Sequence, residues 1–390
     1  MDKHFTLAIL GGGCAGLSLA MRLAEAGLNA PLTLILEKNT VYSNDRTWCF
    51  WDEGNPELRE CVEHSWSDFQ IKNGDSSFKK SCADQPYLMV SAKRFYAHAK
   101  AKISSNQNRI TLLKNQEISE VAKLQNQSWR IVTNNQTFTA DKIVDTRPHV
   151  YAGDGDSLLW QSFLGHEVET DEELFEASTF VLMDFDETFT DGLGFVYILP
   201  YSNKRALIEY TVFSEKPLLA KQLDGYINLA LSRNLKDVSY KTLRTEYGKL
   251  PMGYQNKPHS VEPNYIYAGL FAGSARPSSG YAFQRIQSWA NRCASTYLNN
   301  QTLSHPPKDP IILMMMDDIF LNVLKSNPKS SIKLFFNLFS KCKPDAMIRF
   351  LSDHAKLSDY LSIIFSMPKT LFLKELPFYF YKRWIRNSRE

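Results

Sequence analysis

The chain has 390 residues, 44% hydrophobic and 22% charged, which fits a globular protein with a large core and excludes a disordered one. Its formal charge of +3 is too small to point to nucleic acid, and no apolar stretch of about eighteen residues is present to span a bilayer. The six cysteines (Cys14, Cys49, Cys61, Cys82, Cys293, Cys342) lie scattered, without C-x-x-C pairs or zinc-spaced histidines, so reduced thiols in a cytoplasmic chain are expected and no metal site is. Glycines interrupt the apolar start from Gly11 and no cleavage signature follows a basic start, so a signal peptide is not expected.

The opening predicts one βαβ unit. Phe5 to Leu10 is a short apolar run suited to a buried parallel strand. Ala15 to Ala26 has helical periodicity, with Leu17, Leu19, Ala20 and Leu23 on one side and Gly27 as the C-cap. A second strand, Leu32 to Leu36, ends at Glu37. A helix is predicted over 90–103, then strands at 110–113, 118–122, 128–133 and 142–145. The middle is richer in strands, clearest at 180–185, 195–200, 206–213 and 240–250. A strand at 265–268, a Gly/Ser/Pro loop and a helix from Ala282 follow, and the last eighty residues read as helical and aromatic.

Between the first strand and helix stands Gly11-x-Gly13-Cys14-Ala15-Gly16. In a dinucleotide-binding turn the first glycine makes the tight bend, the second lets backbone amides approach a pyrophosphate, and the third lets helix pack on strand. Glu37, at the end of the second strand, is placed to accept hydrogen bonds from an adenosine ribose. A late loop running from Gly269 through Pro277, Ser279, Gly280 and Tyr281 suits a return to the ribityl chain and ring of a flavin, so FAD is the expected dinucleotide.

These features, together with motifs in a set order, resemble the flavoprotein-type lycopene β-cyclases. The motifs are Asp45-Arg46-Thr47-Trp48-Cys49-Phe50-Trp51, Trp160 to Gly165, Leu182-Met183-Asp184-Phe185, Tyr197 to Pro200, Ala206-Leu207-Ile208-Glu209-Tyr210-Thr211, Gly248-x-Leu250-Pro251 and Pro277 to Tyr281. The resemblance implies an α/β fold: a Rossmann-like FAD domain of the geranylgeranyl-reductase and aromatic-hydroxylase type, with an inserted antiparallel β-sheet substrate domain. The division expected is FAD-binding parts at 1–80, 81–150 and 261–300, a β-rich substrate domain at 151–260, and a helical region at 301–390. It also implies acid-catalysed ring closure of lycopene or a related acyclic carotenoid, with reduced FAD required, NADPH or NADH supplying the electrons, and no net redox change.

Such a reaction needs an acid that stays protonated near neutral pH, and a carboxyl in an apolar pocket does so. Glu209 sits among Ala, Leu, Ile, Tyr, Val and Phe; the resemblance makes it the acid, whereas the pattern alone also allows an outward-facing charge. Where the family has a second acid this chain has Tyr210, and strand alternation puts Leu207, Glu209, Thr211 and Phe213 on one face and Tyr210 on the other. Tyr210 and Thr211 are nonetheless counted with Trp48 and Phe50 as candidate pocket residues. Trp48, Phe50 and Trp51 either line an apolar tunnel or belong to the core. Arg46 either meets a flavin phosphate or pairs with Asp45, Asp145 either approaches the cofactor or belongs to a strand-end turn, and Met314–Met316 is read as helix packing.

From residue 311 to the end, 13 Lys and Arg stand against 7 Asp and Glu, a net of +6 in a chain of +3 overall. Basic and aromatic residues mix in 371–386, which suits either a packed helical cap or peripheral contact with the inner face of an anionic membrane. Rival readings are a flavin monooxygenase or reductase acting on a prenyl lipid, a cyclase of another prenylated substrate, and a non-catalytic carotenoid-binding flavoprotein. The oligomeric state is not legible.

Overall fold

A computed structural model describes residues 3–55, 59–148, 158–253 and 262–387. The first sheet is built on β1 (Lys3–Leu10), followed by α1 (Cys14–Ala24) and β2 (Thr33–Leu36). Next in the chain come β3 (Thr47–Trp51), β4 (His64–Trp66), β5 (Asp68–Asn73), β6 (Ser76–Ser81), β7 (Tyr87–Ser91) and α2 (Ala92–Ser104). Then follow β8 (Ile110–Leu113), β9 (Ile118–Lys123), β10 (Trp129–Thr133) and β11 (Thr137–Asp145). The order β8-β2-β1-β11-β10-β9, with β17 (Tyr265–Tyr267) added on β11, is parallel at its centre and antiparallel at the β9–β10 edge. Strands buried on both faces read as continuous apolar runs, as the opening residues do.

The helix predicted from Val90 begins two residues later. Val90 and Ser91 are the buried end of β7, and the Ser91 hydroxyl accepts the Arg94 amide at 3.1 Å as an N-cap.

The second sheet runs β16-β12-β15-β14-β13-β5-β6, with β12 (Leu159–Thr170), β13 (Thr179–Asp186), β14 (Gly192–Pro200), β15 (Arg205–Ser214) and β16 (Tyr240–Met252). Its pairs are antiparallel except β13 with β5. Residues 68–81, which a division at residue 80 leaves with the nucleotide-binding part, therefore complete the other sheet. One face is covered by α3 (Ala220–Leu235), a helix the sequence reading missed although Leu223, Ile227, Ala230 and Leu231 form its buried stripe. The other face looks toward the β3-β7-β4 sheet and the C-terminal helices α5 (Ile311–Ser326), α6 (Pro328–Lys341), α7 (Pro344–Leu351), α8 (Leu357–Ser366) and α9 (Lys369–Asn387). Helix α4 (Phe283–Asn300) returns to α1 and the first sheet.

Candidate active site

The glycine turn is dictated by geometry. Gly11 has φ +102°, a conformation L side chains rarely adopt, and a Cβ there would lie 2.7 Å from Thr146 Oγ1. A Cβ on Gly16 would overlap the Gly11 carbonyl, so helix and strand could not approach as closely. Above Gly13, by contrast, nothing lies within 4 Å of an added Cβ: the start of α1 opens into space. Glu37 is buried at the edge of that space and accepts the amides of Gly12 and Asn39, each at 2.8 Å.

The late loop closes the same space from the other side. The Arg276 amide donates to Tyr281 O and the Gly280 amide to Arg276 O, both at 2.9 Å. Gly280 has φ +73°, and a Cβ there would stand 2.9 Å from the Gln161 side-chain oxygen. That oxygen is buried and has no hydrogen-bond partner among the described residues, so a polar acceptor is left facing the space. The loop is pinned from behind by Arg276, which is out of solvent and pairs with Asp317 on α5 at 3.3 Å, while Ser278 donates to Asp317 at 2.7 Å.

One cavity of about 1040 Å³ connects these parts with the second sheet. Gly11, Gly13, Cys14, Ala15, Glu37, Arg46, Thr146 and Gly269 line one end. Ser279, Gly280, Tyr281 and Trp48 line its middle, and Phe335, Phe339, Phe350, Leu351 and Met367 line the far end between the C-terminal helices. The floor is the sheet itself, in three registered rows across β16, β12 and β15: Glu246–Gly165–Glu209, Gly248–Phe163–Thr211 and Leu250–Gln161–Phe213. Residues directly opposite on adjacent strands share a face, so each row presents its side chains to the same cavity.

Glu209 is buried and accepts a hydrogen bond from Thr211 Oγ1 at 2.7 Å. Burial first, then the nearby Glu246 charge, push its carboxyl up to about 8, against smaller opposing effects of Thr211 and Arg244. Glu246, also buried, accepts from Thr47 Oγ1 at 2.8 Å and from Arg244, which in turn donates to Thr47 at 2.8 Å and to Glu167 at 3.0 Å. Nearby, the Tyr197 hydroxyl donates to Tyr87 at 3.2 Å, and Tyr87 meets Tyr281 at 3.3 Å. Burial holds all three phenols above their ordinary range and therefore neutral.

Of the residues singled out in the sequence, Glu209 and Thr211 face the cavity and Trp48 borders it. Two do not. Tyr210 is fully buried on the opposite face, its ring stacked on Tyr226 of α3 with centroids 5.2 Å apart. Phe50 is in the core beside the first sheet, stacked on Phe283 at 5.2 Å, and Trp51 is core as well. Arg46 donates to the carbonyls of Asp45 at 2.7 Å and Tyr247 at 3.4 Å rather than to a carboxylate. Asp145 is wholly buried, held by Arg147 and by the Tyr265 hydroxyl at 2.7 Å each. Met316 lines the cavity, beyond the packing role expected of it. Gly165, Arg244 and Glu246 escaped the reading as site residues. Period-two alternation back from Gly248 and Leu250 puts Arg244 and Glu246 on the cavity face and was the available signal.

Comparison with known proteins places this geometry. A family described as "Lycopene cyclase protein" matches residues 6–376. A lycopene beta-cyclase of Pantoea ananas is 23% identical, covering 76% of this chain and 75% of its own length. The chloroplastic lycopene beta cyclase of Nicotiana tabacum is 24% identical over 91% of this chain and 75% of its own. Among solved structures, a geranylgeranyl bacteriochlorophyll reductase-like protein from Thermoplasma acidophilum superposes with TM-score 0.63 at 12% identity, covering 97% of this chain and 100% of the other. The p-nitrophenol 4-monooxygenase of Pseudomonas putida superposes with TM-score 0.57 at 13% identity, covering 95% and 99%. At those identities the structures establish the fold alone.

Proposed function

The chain belongs to the lycopene cyclase family, and on that premise we propose that it closes the acyclic end groups of lycopene by acid catalysis, with Glu209 as the acid. The observation that carries the reading is Glu209 itself: a carboxyl buried in an aromatic cavity and pushed up to about 8 retains its proton at neutral pH.

Protonation of the terminal double bond by Glu209 creates a tertiary carbocation, the neighbouring double bond attacks it to close the ring, and a proton then leaves the ring carbon. One proton enters and one departs, so the product has the composition of the substrate. Phe163, Phe195, Phe213, Tyr87, Tyr197 and Tyr281 line the cavity with aromatic surface suited to a passing cation, and the apolar walls exclude the water that would capture it.

FAD fits the other end. Glu37 would hold the adenosine ribose, the open space above Gly13 with Cys14 and Ala15 the pyrophosphate, and Gly269, Ser279, Gly280 and Tyr281, with the unpartnered Gln161 oxygen, the flavin end; Pro277, expected among them, is buried behind the loop and does not line the cavity. When bound and reduced it supplies electron-rich surface beside the developing cation, and NADPH or NADH is the electron source in this reading.

A carotenoid dissolves in lipid, so the cavity must meet a membrane. The far end of the cavity, at Leu351 and Met367, adjoins helices whose apolar side chains face outward: Leu357, Leu361, Ile364 and Phe365 on α8, and Leu373 and Phe380 on α9. Among the described residues no helix is long and apolar enough to cross a membrane. With the net +6 charge of this region, the surface suits peripheral contact with an anionic bilayer. The side chains of residues 381–387 lie outside the described set.

The test is anaerobic incubation of protein, FAD, NADPH and lycopene in liposomes. Cyclised pigment of unchanged mass, with NADPH use far below product and loss of product in Glu209→Gln, is expected. A bound, reducible flavin with no cyclised pigment would sink the lycopene reading and favour a redox enzyme.

A further inference from the structure

The second acid that the resemblance puts at position 210 is a tyrosine, and it faces α3. The carboxylate that does face Glu209 comes from a strand two places away. Glu209 on β15 and Glu246 on β16 are both directly opposite Gly165 on the intervening β12. A Cβ on Gly165 would lie 3.4 Å from Glu209 Cβ and 3.4 Å from Glu246 Cγ, with Leu207 Cδ1 at 3.1 Å, so any side chain at 165 would crowd both glutamates from the middle strand.

We propose that Glu246 is a positioning residue for the cyclase acid: a fixed carboxylate, aimed at Glu209 across the gap left by Gly165, that holds the catalytic proton on Glu209. This rests on the reading of Glu209 as the acid.

The two carboxylates are built differently. Glu246 accepts from the Arg244 guanidinium and the Thr47 hydroxyl, the anchoring expected of an ionised group. Glu209 has the Thr211 hydroxyl and no ion pair among the described residues. Arg244 is itself shared with Glu167, which also pairs with Arg205, so its positive charge is divided among neighbours rather than directed at Glu209. The other ionisable groups beside Glu209 are Cys49 from β3 and Tyr197 from β14, and burial keeps both neutral. Glu246 is therefore the charge to which Glu209 responds most, after burial itself.

The arrangement assigns the proton. Two carboxylates facing each other in a cavity of low polarity do not both ionise readily; the one held by Arg244 takes the charge and the other keeps the proton. Once Glu209 has protonated the substrate, two like charges face each other, and recapture of a proton by Glu209 is favoured. The same negative charge stands beside the cavity in which the carbocation forms. Where the resemblance puts a second acid next to Glu209 on its own strand this chain has Tyr210, and the carboxylate beside Glu209 comes from across the sheet.

The experiment is an infrared pH titration of the Glu209 carboxyl, its band assigned by its loss in Glu209→Gln, on wild type and Glu246→Gln without lycopene. The midpoint should move about one pH unit toward acid in Glu246→Gln, and the alkaline limb of cyclisation should move with it. Glu246→Asp keeps the charge and should shift the midpoint by less than half as much, and it serves if Glu246→Gln does not fold. An unmoved midpoint in folded Glu246→Gln, or one that moves equally in Glu246→Asp, overturns the proposal. Because this titration needs no carotenoid, a shifted midpoint in a protein that makes no cyclised pigment would leave the coupling standing and sink only the cyclase reading.

Discussion

The hydroxyl of Thr211 donates to the carboxyl of Glu209 at 2.7 Å, two residues along one face of one strand, so the acid and the group that tunes it move together. The bond favours the ionised form and works against burial. Thr211→Val should raise the Glu209 midpoint by about half a pH unit and carry the alkaline limb of cyclisation upward with it, opposite to Glu246→Gln. A pH–rate profile of the two variants checks the opposing signs.

Glu209 also links pH to stability. Its proton is bound more tightly in the folded chain, at about 8, than in an unfolded one, whose glutamates titrate near 4.3. The stability it contributes is complete below that lower value and is lost as pH rises through about 8. Glu209→Gln removes the dependence, so the variant should become progressively more stable than wild type between pH 5 and 8, by an upper bound of about 5 kcal/mol at pH 9. Denaturant titrations of both proteins across that range measure the difference.

Restoring the family's acid at position 210 should not help. Tyr210 is fully buried between the sheet and α3 against Tyr226. Tyr210→Glu would bury a carboxyl near the Asp186 carboxylate, costing on the order of 3 kcal/mol, and should leave the pH profile of cyclisation where it was. Thermal unfolding together with the profile decides this; a gain in activity would show that position 210 reaches the site after all.

The ion pair between Arg276 and Asp317 ties the late loop to α5, with Arg276 wholly out of solvent. Asp317→Ala leaves the buried guanidinium with the Phe350 carbonyl and, as counter-charge, the more distant Asp353 carboxylate at 3.7 Å, and should cost about 3 kcal/mol. Loosening of the loop that carries Gly280 and Tyr281 should weaken FAD binding as well. Calorimetry and flavin fluorescence on the same sample read the two effects.

Outward-facing Leu361 and Phe365 lie on one side of α8, a turn apart. Leu361→Asp with Phe365→Asp should reduce sedimentation with anionic vesicles at least tenfold while leaving the folded structure intact, because neither side chain is in the core. Equal sedimentation of the double variant would remove α8 from the contact surface.

Much of the nucleotide-binding half was legible because its signals are local. Gly11, Gly13 and Gly16 act within one turn, the runs at 5–10 and 32–36 declare buried parallel strands, and Glu37 follows at a spacing set by a single βαβ unit. Glu209 was legible through its motif, and its face through period-two alternation, which also turns Tyr210 away from the pocket in which it was counted. Helix α3, strand β12 and the five strands β3 to β7 were missed, since amphipathic segments flanked by polar turns do not announce which sheet they will join.

What only the tertiary structure decided is the surroundings of the acid. Glu246, Arg244 and Thr47 stand 37, 35 and 162 residues from Glu209 in sequence, and the register of β16 and β12 on β15 brings Glu246 opposite it across Gly165. The reason is physical: a glycine's lack of side chain is a vacancy only in relation to what stands beside it, and a carboxyl's affinity for its proton depends on burial and on charges within a few ångströms. Both are properties of pairing and packing, so the sequence by itself marked Glu209 as the candidate acid, and the sheet supplies the burial and the neighbouring charge that keep it protonated.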